Sequence, residues 1–228
     1  MKNQYFGDTR DLFKYDLALH IIEGIWSIRA LIFVPMLTPD DGSRQGSRTD
    51  HRKATAGYRN TGLVHRLTGC VRDGKRDIRE ICPFFEERGI PVHLHGMTFS
   101  HDDRPAYFSA IPDAWLRDAL VLLDPDIGME VARPTGKHLL FSEIGDLSRR
   151  LEGDSVLMIF QYIPRVNRPE YLGRRLKDLG RIIPQASVAI CDPWVAFFFV
   201  GREDRIIQQV GELLLRYRDK YPALLIAR

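Results

Sequence analysis

The stretch Ala119-Leu-Val-Leu-Leu-Asp124-Pro125-Asp126-Ile-Gly128-Met-Glu130 decides the fold. Five apolar residues followed at once by an acid, a proline and a second acid predict a strand buried on both faces. Its carboxyl end breaks into a loop that presents carboxylates, and in open α/β sheets that end is where ligands bind. On either side of this strand, residues 29–34, 90–95, 155–162, 186–191 and 194–200 read as further strands. Residues 8–24, 77–88, 105–117, 137–151, 171–183 and 203–217 carry helical periodicity, those from 137 after an opening loop.

Strands alternating with helices predict a mostly parallel sheet with right-handed crossovers and helices on both faces. The last two strands are joined by little more than Asp192-Pro193, too short for a crossover, so they are expected to pair antiparallel. The expectation is a Rossmann-like α/β domain over residues 1–228, with a basic insertion or mobile arm at 43–79 after the first strand.

Hydrophobic residues make up 44% and charged residues 28% of the chain, ordinary for a soluble globular protein. The longest apolar runs are strand-sized and the start lacks the apolar core of a signal peptide, so no membrane partner and a cytoplasmic location are expected. Cys70, Cys82 and Cys191 are odd in number and share no CxxC spacing, which suggests reduced thiols. A protein partner or a second copy of the chain is left open.

The net charge of +3 does not by itself imply a polyanion, but its distribution is uneven. Between Gly42 and Arg79 there are ten Lys or Arg against three acids. Such a stretch cannot build its own core. It is a solvated loop, short helices packed on the main body, or an arm in which Arg44, Arg48, Arg52 and Lys53 hold a nucleic-acid backbone. Tyr58 is its lone aromatic, which weakens single-strand stacking as its mode.

In the first helix Asp8 is a natural N-cap, and Asp11 favours the positive end of the helix dipole. Lys14 and His20 lie off the apolar stripe, so Lys14 is either a solvated lysine or a substrate or cofactor contact. After the first strand comes Pro35-Met-Leu-Thr-Pro-Asp40-Asp41-Gly42. Glycine lets backbone N–H groups approach a ligand and a carboxylate can take a ribose hydroxyl, although the string is also an ordinary turn. His93 and His95 share one strand face, where packing is the commoner role and metal binding the rarer one.

The opening Asp11-Leu-Phe-Lys14-Tyr15, the acid-and-glycine turn, the Asp124-Pro125 strand end and the antiparallel terminal pair together resemble the class I S-adenosylmethionine-dependent methyltransferases. The opening is similar to the start of the ribosomal RNA adenine-N6 methyltransferases, and its pairing with a later Asp-Pro strand resembles the three-Cys-motif partner proteins. The resemblance implies a cofactor held by Asp40, Asp41 and Gly42, and an acceptor amine oriented by Asp124, with Asp126 and Gln161 lining the acceptor pocket. Asp126 and Ile127 stand where that family's Asp-Pro-Pro-Tyr motif has Pro-Tyr, so the aromatic platform for a flipped base is missing.

That departure opens a rival reading. Asp40, Asp41, Asp124, Asp126 and Glu130 could converge on the strand-end rim and hold Mg²⁺ for phosphodiester hydrolysis, with Lys137 or Arg133 nearby. A third reading has no catalysis: a methyltransferase-type fold kept as a binding module.

Overall fold

The structure is a computed structural model and describes residues 1–42 and 46–228. Arg44 lies outside the described residues. The central sheet has seven strands: β1 (Ala30–Val34), β2 (Val92–Leu94), β3 (Ala119–Leu123), β6 (Val156–Tyr162), β7 (Ser187–Cys191), β8 (Val195–Gly201) and β9 (Leu225–Ala227). A separate two-stranded piece, β4 (Gly128–Met129) with β5 (His138–Leu139), lies beside the end of β6. The helices are α1 (Thr9–Gly24), α2 (Thr61–Arg72), α3 (Cys82–Glu86), α4 (Arg104–Ser109), α5 (Phe141–Arg150), α6 (Arg168–Gly180) and α7 (Asp204–Lys220).

The strand order is β2-β1-β3-β6-β8-β7-β9. The pairs β2/β1, β1/β3 and β3/β6 are parallel, whereas β8 runs antiparallel to both β6 and β7. The short Asp192-Pro193 connection therefore makes the expected antiparallel pair, and β8 is inserted between β6 and β7 rather than added at an edge. The chain leaves β1 toward β2 on one side and returns to β3 on the other, so the order reverses between β1 and β3. The carboxyl ends of those two strands define the crevice where ligands of such sheets bind.

Alternation along each strand feeds two cores. Leu31, Phe33, Leu120 and Leu122 join the layer with α1, α2, α3 and α7, while Ile32, Val34, Val121 and Leu123 join the layer with α4, α5 and α6. Helix α1 departs from the amphipathic expectation. Residues 11–19 are all buried, because α2, α7 and the rim loop carrying Asp124 cover the flanks that the pattern leaves polar.

The basic stretch takes the packed-helix alternative. Leu63, Leu67 and Cys70 of α2 are buried against the body. Its preceding loop is tied down too: Thr9 N donates to Arg48 O at 2.8 Å, and a His51 ring nitrogen meets Gly7 O at 3.1 Å. His93 stacks on Trp115 and His95 bonds the Tyr107 carbonyl, so this pair packs rather than ligates. Among the described residues no helix is long and apolar enough to cross a membrane.

Candidate functional site at the carboxyl rim of the sheet

The rim site begins at the N-terminus of α1. The Asp8 side chain caps the helix by accepting from Arg10 N and Asp11 N, as its residue type predicts. Asp11 and Lys14 follow at one-turn spacing on the same helix face, which turns toward the end of β3. Lys14 Nζ donates to Asp11 Oδ1 at 2.6 Å and to Asp124 Oδ2 at 2.7 Å. All three groups are buried. Lys14 is thus neither a solvated lysine nor an exposed substrate contact; it neutralises two carboxylates inside the protein.

Burial alone would draw the Lys14 pKa down, yet the charges of Asp11 and Asp124 outweigh it and hold the ammonium above its ordinary range. Asp124 is pushed up by burial, with Lys14 pulling the other way. Asp8 is pushed up to about 6, by burial first and the charge of Asp11 second. A carboxyl that titrates near neutrality under a cleft is a mark of functional sites. The Tyr15 hydroxyl, also buried, has no hydrogen-bond partner among the described residues.

The crevice between β1 and β3 is filled by the protein itself. Met1 is 3% exposed; its amino group donates to Met36 O at 3.0 Å and pairs with Asp126 at 2.5 Å. Lys2 Nζ donates to Pro39 O at 2.6 Å. Gln4 brackets the turn: its backbone N–H donates to Asp40 Oδ1, its Nε2 donates to Asp41 Oδ1, and its Oε1 accepts from the N–H groups of Asp41 and Gly42. The carboxylates and backbone donors that the methyltransferase resemblance assigns to the cofactor are engaged by residues 1–4. In this conformation Asp40, Asp41 and Gly42 do not fit S-adenosylmethionine.

The loops after β1 and β3 do share one rim, with Val34 and Leu123 in register and Met1 bridging the two loops. The acids on those loops do not converge. Asp40 and Asp41 face Gln4 and Lys2, Asp124 faces Lys14, and the Glu130 carboxylate accepts the Phe141 N–H at the start of α5. Among the described residues no three His, Cys, Asp or Glu side chains stand together as a metal site. The five-acid Mg²⁺ cluster is therefore corrected: each acid has its own partner.

Gln161 is also reassigned. Its Oε1 accepts from Met129 N at 2.8 Å, its Nε2 donates to Tyr162 O at 2.8 Å, and its amide covers Gly128, where a Cβ would sit 2.4 Å from Gln161 atoms. It fastens the β3–β4 loop instead of lining an acceptor pocket. Gly128 is held at φ +141°, a conformation L side chains rarely adopt, so the close approach and the backbone both require glycine there.

What opens to solvent lies beside the filled crevice. A cleft of about 590 Å³ is bounded by Tyr5, Arg10, Arg48, Asp126, Lys137 and Tyr162, within the size range of ligand sites. The Arg10 guanidinium lies 4.8 Å over the Tyr162 ring, and Arg48 lies 4.8 Å over Trp194. Stacking of this kind pre-orients a guanidinium for an anion, and Arg10 Nη1 is already engaged by the Asp8 carboxylate at 3.1 Å. Of the substrate residues read from the basic stretch, Arg48 reaches this cleft and Lys53 an adjoining one. Arg52 and Lys53 are well exposed and pair with Asp50. Tyr5, Arg10, Tyr162 and Trp194 carry no site signal in the sequence, because they come from three distant segments with no shared motif.

The fold and the site together define a Rossmann-like α/β protein with a buried ionic cluster beneath a cationic, aromatic rim cleft. The chain matches no family model and no curated protein.

Proposed function

We propose that this protein binds single-stranded nucleic acid along the rim cleft, with Arg10, Arg48 and Lys137 meeting phosphates and Tyr5 and Tyr162 offering stacking surfaces. The observation that carries the reading is the pairing of guanidinium and ring at Arg10–Tyr162 and Arg48–Trp194, on the walls of two adjoining clefts that share Arg10 and Arg48. Cations that track a backbone, interleaved with aromatics, are the two ingredients of single-strand recognition. The scarcity of aromatics within the basic stretch is made good by rings from the chain start, the end of β6 and the β7–β8 turn.

The test is binding of a labelled single-stranded oligonucleotide across a salt series. A steep fall in affinity with salt supports the reading, and each phosphate-contacting cation removed should shallow the log–log slope by about 0.7. Arg48→Ala and Lys137→Ala are the variants to use. A flat salt response, or slopes unchanged in both variants, would overturn it.

Methyl transfer from S-adenosylmethionine to that strand is a second reading, favoured by the antiparallel insertion of β8 alone. It requires residues 1–4 to leave the crevice. Calorimetric titration of the full chain with S-adenosylmethionine decides it: saturable binding supports transfer, and its absence leaves strand binding without that reaction.

A further inference from the structure

A second cleft of about 480 Å³ adjoins the first and shares Arg10 and Arg48 with it. Its other walls include Lys53, Thr55, Asp192 and Trp194. Trp194 is 47% exposed, with the Arg48 guanidinium over its ring, so a flat apolar surface and a cation stand together at the mouth. Asp192, at the end of β7, is 5% exposed. Its Oδ1 accepts the N–H groups of Trp194 at 2.6 Å and Val195 at 2.8 Å, and the Thr55 side chain also hydrogen-bonds the carboxylate. These bonds fix the carboxylate in the same turn that carries the exposed ring.

A stacking surface next to a fixed carboxylate selects among bases by their hydrogen-bonding edges. Guanine alone offers two adjacent donors, N1–H and the N2 amino group, to an acceptor-only side chain. Adenine and cytosine place a ring-nitrogen lone pair beside their amino group, which a carboxylate repels. Thymine and uracil flank their one ring N–H with two carbonyl oxygens. We propose that this cleft is a guanine pocket for one nucleotide of the bound strand, the base stacking on the Trp194 surface that Arg48 leaves uncovered and donating to the Asp192 carboxylate through the oxygen that does not take the two backbone N–H groups, while Arg48 and Lys53 face its phosphates. The inference rests on the strand-binding reading of the neighbouring cleft and adds a base preference to it.

The experiment compares short single-stranded oligonucleotides of one length: all thymine, and thymine carrying a single guanine, adenine or cytosine. The guanine strand should bind about tenfold tighter than the all-thymine strand, with adenine and cytosine strands close to thymine. In Asp192→Asn the side-chain oxygen can still take the two backbone N–H groups, while the preference should collapse to within about twofold. Trp194→Leu leaves those backbone bonds alone and should also lose the preference, which covers the case in which the first variant folds poorly. Equal affinity for all four strands overturns the guanine pocket and leaves strand binding standing. A guanine preference that survives both substitutions overturns its assignment to this cleft. Failure of every strand to bind overturns both readings.

Discussion

Lys14 and Lys53 are the same side chain in opposite surroundings. Beneath the rim, Lys14 has 3% of its side chain exposed and lies within 2.7 Å of two carboxylates. On the basic stretch, Lys53 is 82% exposed and stands 3.6 Å from Asp50. Inside the protein each charge has been stripped of water, so the cluster holds only while every member keeps its partner. At the surface, water and salt screen the pair, and the charge is available to a passing polyanion. One region uses its charges to hold structure together; the other leaves them open to solvent.

The largest effect should come from Lys14→Met. It strands Asp11 and Asp124 in the interior and should cost about 3–5 kcal/mol in denaturant unfolding. A loss below about 1 kcal/mol would mean that these acids are neutral in the native protein, and the buried ionic cluster would have to be redrawn.

Next is the pH response of Asp8. Its native pKa of about 6 lies above the ordinary 3.8, so between those values the folded protein holds more protons than the unfolded chain. Stability should therefore fall as pH rises through that window and level off above it. Asp8→Asn keeps a good helix cap while removing the ionisation. Its stability relative to the parent should rise between about pH 4 and 6, by at most about 3 kcal/mol. Thermal unfolding across that range checks this, and parallel curves for the two proteins would break the argument.

Arg48→Ala should leave folding nearly unchanged and weaken single-strand binding about tenfold at low salt, an effect that fades as salt rises. At the small end, Arg52→Ala and Lys53→Ala should each shift stability by less than about 0.5 kcal/mol. Any appreciable destabilisation by either would erase the distinction between the two regions.

Local signals carried most of the fold. The five apolar residues before Asp124 form β3, the residues around Asp192-Pro193 form a hairpin, and Asp8 caps α1, because each depends on neighbours within a few positions. Strand β9 leaves no local signal, since Leu225, Ile226 and Ala227 are too few to show a period and pair with β7. The burial of Lys14 was likewise illegible: one-turn spacing from Asp11 was visible, but Asp124 is 110 residues away. Gln161 and Tyr162 show the limit most sharply. Adjacent on β6, one fastens Gly128 while the other lines the cleft, and alternation alone did not say which. Asp40 and Asp41 lie on the loop after β1, but nothing local signals that Gln4 occupies them.

The insertion of β8 has a bearing on how the chain is made. β6 ends at Tyr162 and β7 at Cys191, yet the strand that separates them spans Val195–Gly201 and leaves the ribosome after both. Until then the β6 edge away from β3 is unpaired, along a strand that is almost wholly apolar, with β7 free to dock against it in the wrong partnership. A nascent chain halted before Gly201 is thus a sticky half-sheet, and its safe maturation rests on the final hairpin arriving before another chain does.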